Sequence, residues 1–168
     1  MNDTNEVEPW LFPVELCEGE SLSHFLGRFR RRNHLSPSAL GDLADLGGVV
    51  ARWEKFHLNP FPTDQEFEAL GEVVGVNCDR LRTMLPPTGM GMKCEPIWMC
   101  GACYGEVPCH RRSWQYKSVW KCDKHQLKLI SKCPNCGAKF KMPALWEHSC
   151  CHRCRFPFFN SIYQNKVL

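Results

Sequence analysis

Four pairs of metal-binding side chains, each pair separated by two residues, constrain this chain more than any other feature. They are Cys100-x2-Cys103, Cys122-x2-His125, Cys133-x2-Cys136 and Cys151-x2-Cys154. A two-residue gap lets the backbone turn as a knuckle with both ligand atoms aimed at one ion, and two knuckles complete a tetrahedron. The sequence holds 12 cysteines, and only Cys17 and Cys78 precede Cys94. A secreted disulfide scaffold would need an export signal, but the first 27 residues hold no Lys or Arg and no apolar stretch. Paired spacings without an export signal read as metal sites. No apolar run approaches the roughly 18 residues that span a bilayer.

Pairing neighbours gives C-x2-C-x18-C-x2-H and C-x2-C-x14-C-x2-C, spacings that resemble zinc ribbons. A cross-braced arrangement, first pair with third and second with fourth, is the alternative. Cys151 rather than Cys150 keeps the two-residue spacing to Cys154. Cys94, Cys109, His110, His148 and His152 are left over and read as packed or exposed residues. Two structural Zn²⁺ ions are therefore expected, on Cys100, Cys103, Cys122 and His125, and on Cys133, Cys136, Cys151 and Cys154. Each set is full and leaves no position for a reactive water, so catalysis is not expected. No H-E-x-x-H, P-loop or zinc-deaminase signature occurs. Each ion would contribute on the order of 10 kcal/mol to folding.

The formal net charge of +3 conceals a division. Residues 1–92 carry 8 basic and 14 acidic side chains, a net −6, whereas residues 93–168 carry 13 basic and 4 acidic, a net +9. Two Zn²⁺ on seven thiolates would lower the second figure to about +6, so the C-terminal half stays basic. Trp114, Tyr116, Ser118 and Trp120 alternate with Gln115, Lys117, Val119 and Lys121. This period of two predicts a strand with an aromatic face over the metal. Basic residues beside aromatics suit nucleic acid, with Arg111, Arg112, Lys117, Lys121 and Lys128 as candidate contacts.

The N-terminal half reads as helical. Ser21 caps a helix that places Leu22, Phe25, Leu26 and Phe29 on one face. Ser36-Pro37 opens a second helix over 37–46, ended by Gly47-Gly48. Thr63-x-x-Glu66 is a capping box for a third, and Asn77 caps a fourth over 79–85. Ala69, Gly75, Val76 and Leu81 have helix-turn-helix spacing. Arg28, Arg31 and Arg32 are candidate phosphate contacts. Trp10, Leu11 and Phe12 form a candidate anchor for a protein partner. The expected architecture is a small α plus zinc-ribbon protein. It has a docking segment over 1–20, a helix-turn-helix-like domain over 21–85 and a linker over 86–92. Two tandem zinc ribbons with short β-hairpins follow, over 93–130 and 131–168.

Several motifs in this order resemble the TniQ/TnsD family. They are Phe12-Pro13, then Glu20-Ser21-Leu22-Ser23 with Leu26-x-Arg28, then Arg112-x-Trp114-Gln115, Val119-x-x-Cys122-x-x-His125-x-x-x-Leu129 and Cys133-Pro134-x-Cys136-Gly137. The family's usual C-P-x-H knuckle is Cys122-Asp-Lys-His125 here. The resemblance implies a non-catalytic protein of heteromeric DNA transposons that engages an AAA+ ATPase regulator, which is TnsC-like. Most members are more than twice as long and carry a C-terminal region that reads target DNA. This chain is similar to the short TniQ of type V CRISPR-associated transposons. That likeness implies an adaptor between an RNA-guided effector with its guide RNA at the target DNA and the ATPase filament. It also implies a bacterial cytoplasmic location, no membrane contact and no small-molecule substrate. The alternative is a sequence-specific DNA-binding regulator that uses Arg80 and Arg82 of the fourth helix.

Overall fold

A computed structural model describes residues 11–162 of the 168-residue chain. Trp10 lies outside the described residues. No helix among the described residues is long and apolar enough to cross a membrane.

Helix α1 spans Leu22–Arg32, and the Ser21 hydroxyl accepts the His24 N–H at its start. Leu22, Phe25, Leu26 and Phe29 are all buried, as their spacing predicts. Helix α2 spans Pro37–Leu43 and is three residues shorter than expected. The chain folds back over it instead: Leu46 and Gly47 both donate to the Gly41 carbonyl, at 2.8 and 3.1 Å. A side chain on Gly41 would meet the Gly47 carbonyl oxygen at 2.0 Å, so glycine permits the reversal.

Helix α3, Val49–Glu54, has no strong cap or periodicity and escapes the sequence reading. It buries Val50 and Trp53, with Trp53 edge-on to Phe67 at 5.4 Å. Helix α4, Asp64–Val74, has both arms of the expected capping box. Gly75 ends it in the left-handed region at φ 69°. Helix α5, Cys78–Arg82, is short, with Asn77 at its N-cap and Leu81 fully buried beneath it. The close approach of α4 to the following turn depends on Gly71, where a Cβ would lie 2.5 Å from the Val76 carbonyl oxygen. Ala69, the small residue expected at this crossing, is only half-buried.

The C-terminal half has one short helix, α6 (Gly101–Glu106), and isolated antiparallel bridges in place of extended strands. The strand expected through residues 114–121 does not form. Residues Arg112–Gln115 make a 3-10 turn, and consecutive Trp114 and Gln115 are 2% and 0% exposed, while Trp120 is 65% exposed. The cause is Gln115. Its amide donates to the carbonyls of Lys93 and Pro96 and accepts the Trp98 N–H, at 2.8, 3.2 and 2.7 Å. A buried polar side chain that satisfies three backbone groups overrides the alternation.

Each half has its own apolar core. One is built from α1 to α5, and the other from Met99, Tyr104, Trp114, Leu129, Phe140, Trp146 and Phe158 around the cysteine clusters. The halves meet along a polar, close-packed seam. A Cβ on Gly27 would sit 2.2 Å from the Ala144 carbonyl oxygen, so α1 lies flat against the 3-10 turn Pro143–Leu145. The Ser23 hydroxyl donates to the Glu54 carbonyl at 2.6 Å and accepts the Ala144 N–H at 3.1 Å. Glu20 bridges Arg111, flanked by Ser21 N–H to His110 O at 2.8 Å and Arg112 N–H to Gly19 O at 3.0 Å.

Candidate metal centres

The structure gathers eight predicted ligands into two groups: Cys100, Cys103, Cys122 and His125, and Cys133, Cys136, Cys151 and Cys154. Within each group the ligand atoms lie within 4.8 Å of one another. Neighbouring pairs therefore combine, and the cross-braced alternative is excluded. In the first group Cys103 Sγ lies 3.5 Å from Cys122 Sγ, and His125 Nδ1 lies 3.7, 3.2 and 3.6 Å from the sulfurs of Cys100, Cys103 and Cys122. In the second, Cys133–Cys154 and Cys136–Cys151 are each 3.6 Å apart. Four sulfurs at about 2.3 Å from a central ion have tetrahedral edges of about 3.8 Å, so the donor sets fit a tetrahedral metal.

Three of the four pairs sit on one repeated turn. Cys122, Cys133 and Cys151 each donate their N–H five residues on, to Leu127, Ala138 and Phe156. Each also accepts, at its carbonyl, an N–H from four residues on: Gln126, Gly137 and Arg155. Those three residues have φ of 57°, 72° and 62°. Each turn is closed by a bridge, Lys121 with Lys128, Lys132 with Lys139 and Cys150 with Pro157. Gly137 meets the left-handed demand without strain, whereas Gln126 and Arg155 are held there by the turn's own hydrogen bonds. The fourth pair is built differently. Cys100 is the N-cap of α6 and Cys103 lies one turn on, so the helix itself sets their spacing.

Two ligand thiols, Cys122 and Cys154, are lowered toward the thiolate, whereas burial raises those of Cys100, Cys103 and Cys133. Burial raises the Cys122 thiol, yet hydrogen bonds from the His125 backbone and ring outweigh it and bring it to about 7. The Asn135 amide and the Phe156 N–H hold Cys154 at about 6. Glu106, which the sequence reading did not assign to the site, accepts the outer ring nitrogen of His125 at 2.7 Å and also pairs with Lys124. This carboxylate–imidazole contact orients the ring and leaves Nδ1 free for the ion. Its trace in the sequence is its place three residues after Cys103 on the same helical face. The leftover residues behave as packed or exposed: Cys109 and His110 are buried, and Cys94, His148 and His152 are exposed. None of these joins a cluster among the described residues.

The candidate partner and nucleic-acid residues divide into seam and surface groups. Arg28 grips buried Glu20 at 2.8 and 2.7 Å and the Glu15 carbonyl at 2.6 Å. Arg31 donates to the carbonyls of Ala144 and Trp146 at 2.6 and 2.8 Å. Both therefore serve the fold. Arg32 is exposed, with its guanidinium 4.9 Å above the Phe12 ring. Leu11 packs partly against the helical core. Phe12 is 59% exposed, and its backbone is held by Asn33 through bonds of 2.6 and 2.9 Å. Arg111 lies in the seam bridge, and Arg112 donates to the Tyr116 hydroxyl at 2.9 Å. Lys121 and Lys128 face each other on the first knuckle turn beside exposed Trp120, and exposed Lys117 lies against Gly91.

Fold and site together define a small, mostly helical protein with two four-ligand, cysteine-rich clusters that can hold metal ions. No protein-family profile matches the chain, and no curated protein matches it.

Proposed function

We propose that this chain is a zinc-stabilised, non-catalytic adaptor of the TniQ kind. It would bridge an RNA-guided effector complex on target DNA to a TnsC-like AAA+ ATPase in DNA transposition. The observation that carries the reading is the closed donor set of each cluster: four ligands, knitted into the second core, with no place for a substrate. Metal there crosslinks the fold, with the eight ligands named above holding two Zn²⁺ as tandem zinc-ribbon-like modules. The surface then supplies function. Phe12, stacked on Arg32, is a ready aromatic anchor for a protein pocket. Trp120 between Lys117 and Lys121 offers a stacking face with neighbouring positive charge for nucleic acid. The ordered motif resemblance joins these two surfaces to transposition.

The reading as a sequence-specific DNA regulator is less well supported. Helix α5 has five residues, and Arg82 is taken up by Asp64 and Asp79. The test is a titration of the zinc-loaded chain with the ATPase regulator and, separately, with the effector–guide RNA complex. Binding to both, with Trp10→Ala weakening only the ATPase arm, supports the adaptor. An enriched motif in a binding-site selection on random DNA, with no affinity for either complex, supports the regulator instead.

A further inference from the structure

His24 is a buried titratable group with no part in the metal centres. It is 2% exposed, yet it lines a cavity of about 490 Å³ where α1 faces Tyr104 and Trp146 of the second half. Its Nδ1 lies 2.5 Å from Glu20 Oε1. Arg28 grips the same carboxylate through Nε and Nη2, at 2.8 and 2.7 Å, so Glu20 is ionised and can only accept. The His24 proton therefore sits on Nδ1 and leaves Nε2 a bare acceptor. Burial, the largest influence on the ring, keeps it neutral. Nε2 makes no hydrogen bond to a described residue and is not sealed from solvent, so it opens into the cavity. The same wall carries three guanidiniums. His24, Arg28, Arg31 and Arg32 recur at i, i+4, i+7 and i+8 along one face of α1. Arg28 leaves Nη1, and Arg31 leaves Nε, without a hydrogen bond to a described residue. Arg32 touches only the Phe12 ring among the described residues. Glu147 is the acidic residue of the wall, with 64% of its side chain exposed. The three arginines outnumber Glu147 and the Glu20 carboxylate beneath His24.

We propose that this cavity binds a small phosphate monoester in its hydrogen-phosphate form. The cavity presents two kinds of group, cationic donors and one imidazole acceptor. A carboxylate, a sulfate or a phosphodiester brings only acceptors at neutral pH, and would set a lone pair against Nε2. A phosphate monoester, whose second pKa is about 6, can keep one hydrogen. Its P–O–H donates to His24 Nε2, while its other oxygens accept from Arg28, Arg31 and Arg32. No covalent bond is made or broken. The bound group would tie α1 to the wall of Tyr104 and Trp146, across the seam between the two cores. The inference stands apart from the adaptor reading, because it rests only on the donors and the acceptor that converge here.

The experiment is calorimetric titration of the full, zinc-loaded chain at about pH 6.5. The probes are inorganic phosphate, glycerol 3-phosphate, sulfate and dimethyl phosphate, each in turn. Saturable binding of the first two is expected, with sulfate and dimethyl phosphate about 10-fold weaker or more. Arg32→Ala, which removes no hydrogen bond to a described residue, should weaken phosphate binding by about 10-fold. Lys117→Ala removes an exposed cation that does not line the cavity, and should leave binding unchanged. In protein labelled with nitrogen-15 histidine, phosphate should shift the Nε2 resonance of one ring, and His24→Gln should abolish that response. Equal affinity for sulfate and phosphate would overturn the proposal. So would absence of saturable phosphate binding, unchanged affinity in Arg32→Ala, or a phosphate response confined to histidines other than His24.

Discussion

Glu106 accepts the outer nitrogen of His125 at 2.7 Å, while the inner nitrogen of the same ring faces three thiols. The carboxylate sits on α6, the helix that carries Cys100 and Cys103, so one element supplies two ligands and orients a third. Replacing Glu106 by Gln should lower metal affinity at the first centre by about 10- to 100-fold. The second centre should be unaffected. Competition with a chromophoric chelator, resolving two binding events, checks this.

Two ions per chain are expected by elemental analysis, and their removal should unfold the C-terminal half. Buried Cys100, Cys103, Cys122, Cys133 and Cys151 belong to the apolar core itself. Without metal, the core loses its crosslinks. Chelation followed by tryptophan fluorescence should show exposure of Trp114 and Trp146, and zinc addition should reverse it.

Gly27→Ala should destabilise the protein although it favours helix. The new methyl group would meet the backbone of Ala144 at 2.2 Å, and backbone cannot swing aside as a side chain can. A loss of about 1–3 kcal/mol is expected, read as a lower midpoint in denaturant with zinc held saturating. Gly48→Ala has open space around it and serves as the control.

Acid should weaken the fold through His110. Its ring is fully buried between Trp114 and Trp146, with centroids 5.3 Å from each. Nε2–H donates to the Trp98 carbonyl and Nδ1 accepts from the Ser21 hydroxyl, which leaves no place for a second proton. Burial, then the nearby His24 charge, holds its pKa well below 6.5. The unfolded chain therefore takes up a proton that the folded chain refuses. Stability from this group is complete above about pH 6.5 and declines as pH falls below it, by up to about 1.4 kcal/mol per pH unit. His24, also lowered chiefly by burial, adds in the same direction. Denaturation midpoints of zinc-saturated protein between pH 7.5 and 5.5 should show a steeper decline than those of His110→Gln.

Phe12→Ala should leave thermal stability nearly unchanged, because the ring is mostly in solvent. It should weaken binding to the ATPase regulator proposed above as a partner. Asn33→Ala should weaken the same binding less directly, by releasing the Phe12 backbone that Asn33 holds.

The features legible in the sequence are those set by near neighbours. Ser21, Ser36, Thr63 and Asn77 cap helices through atoms two or three residues away. The metal ligands declare themselves by two-residue spacing, and their group assignment follows from short loops. What stayed hidden depends on distant partners. The arginines of α1 look like a solvent-facing basic run, yet Arg30 pairs with Glu54 and Arg31 binds carbonyls more than a hundred residues on. Gln115 reads as the polar side of a strand until its three backbone partners are seen. Helix α3 is held by the packing of Trp53 rather than by local preference, so its own residues do not announce it.

The Arg31 contacts also bear on how the molecule is made. Ribosomal synthesis delivers α1 early and Ala144 and Trp146 late. Each metal centre draws its ligands from one continuous stretch, so it can close soon after that stretch emerges. The contacts of Gly27, Ser23 and Arg31 with residues 144 and 146 cannot form until those residues have been made. Helix α1 can pack in the core of α1 to α5 before then, so the late contacts of Arg31 join two halves that already have their own cores.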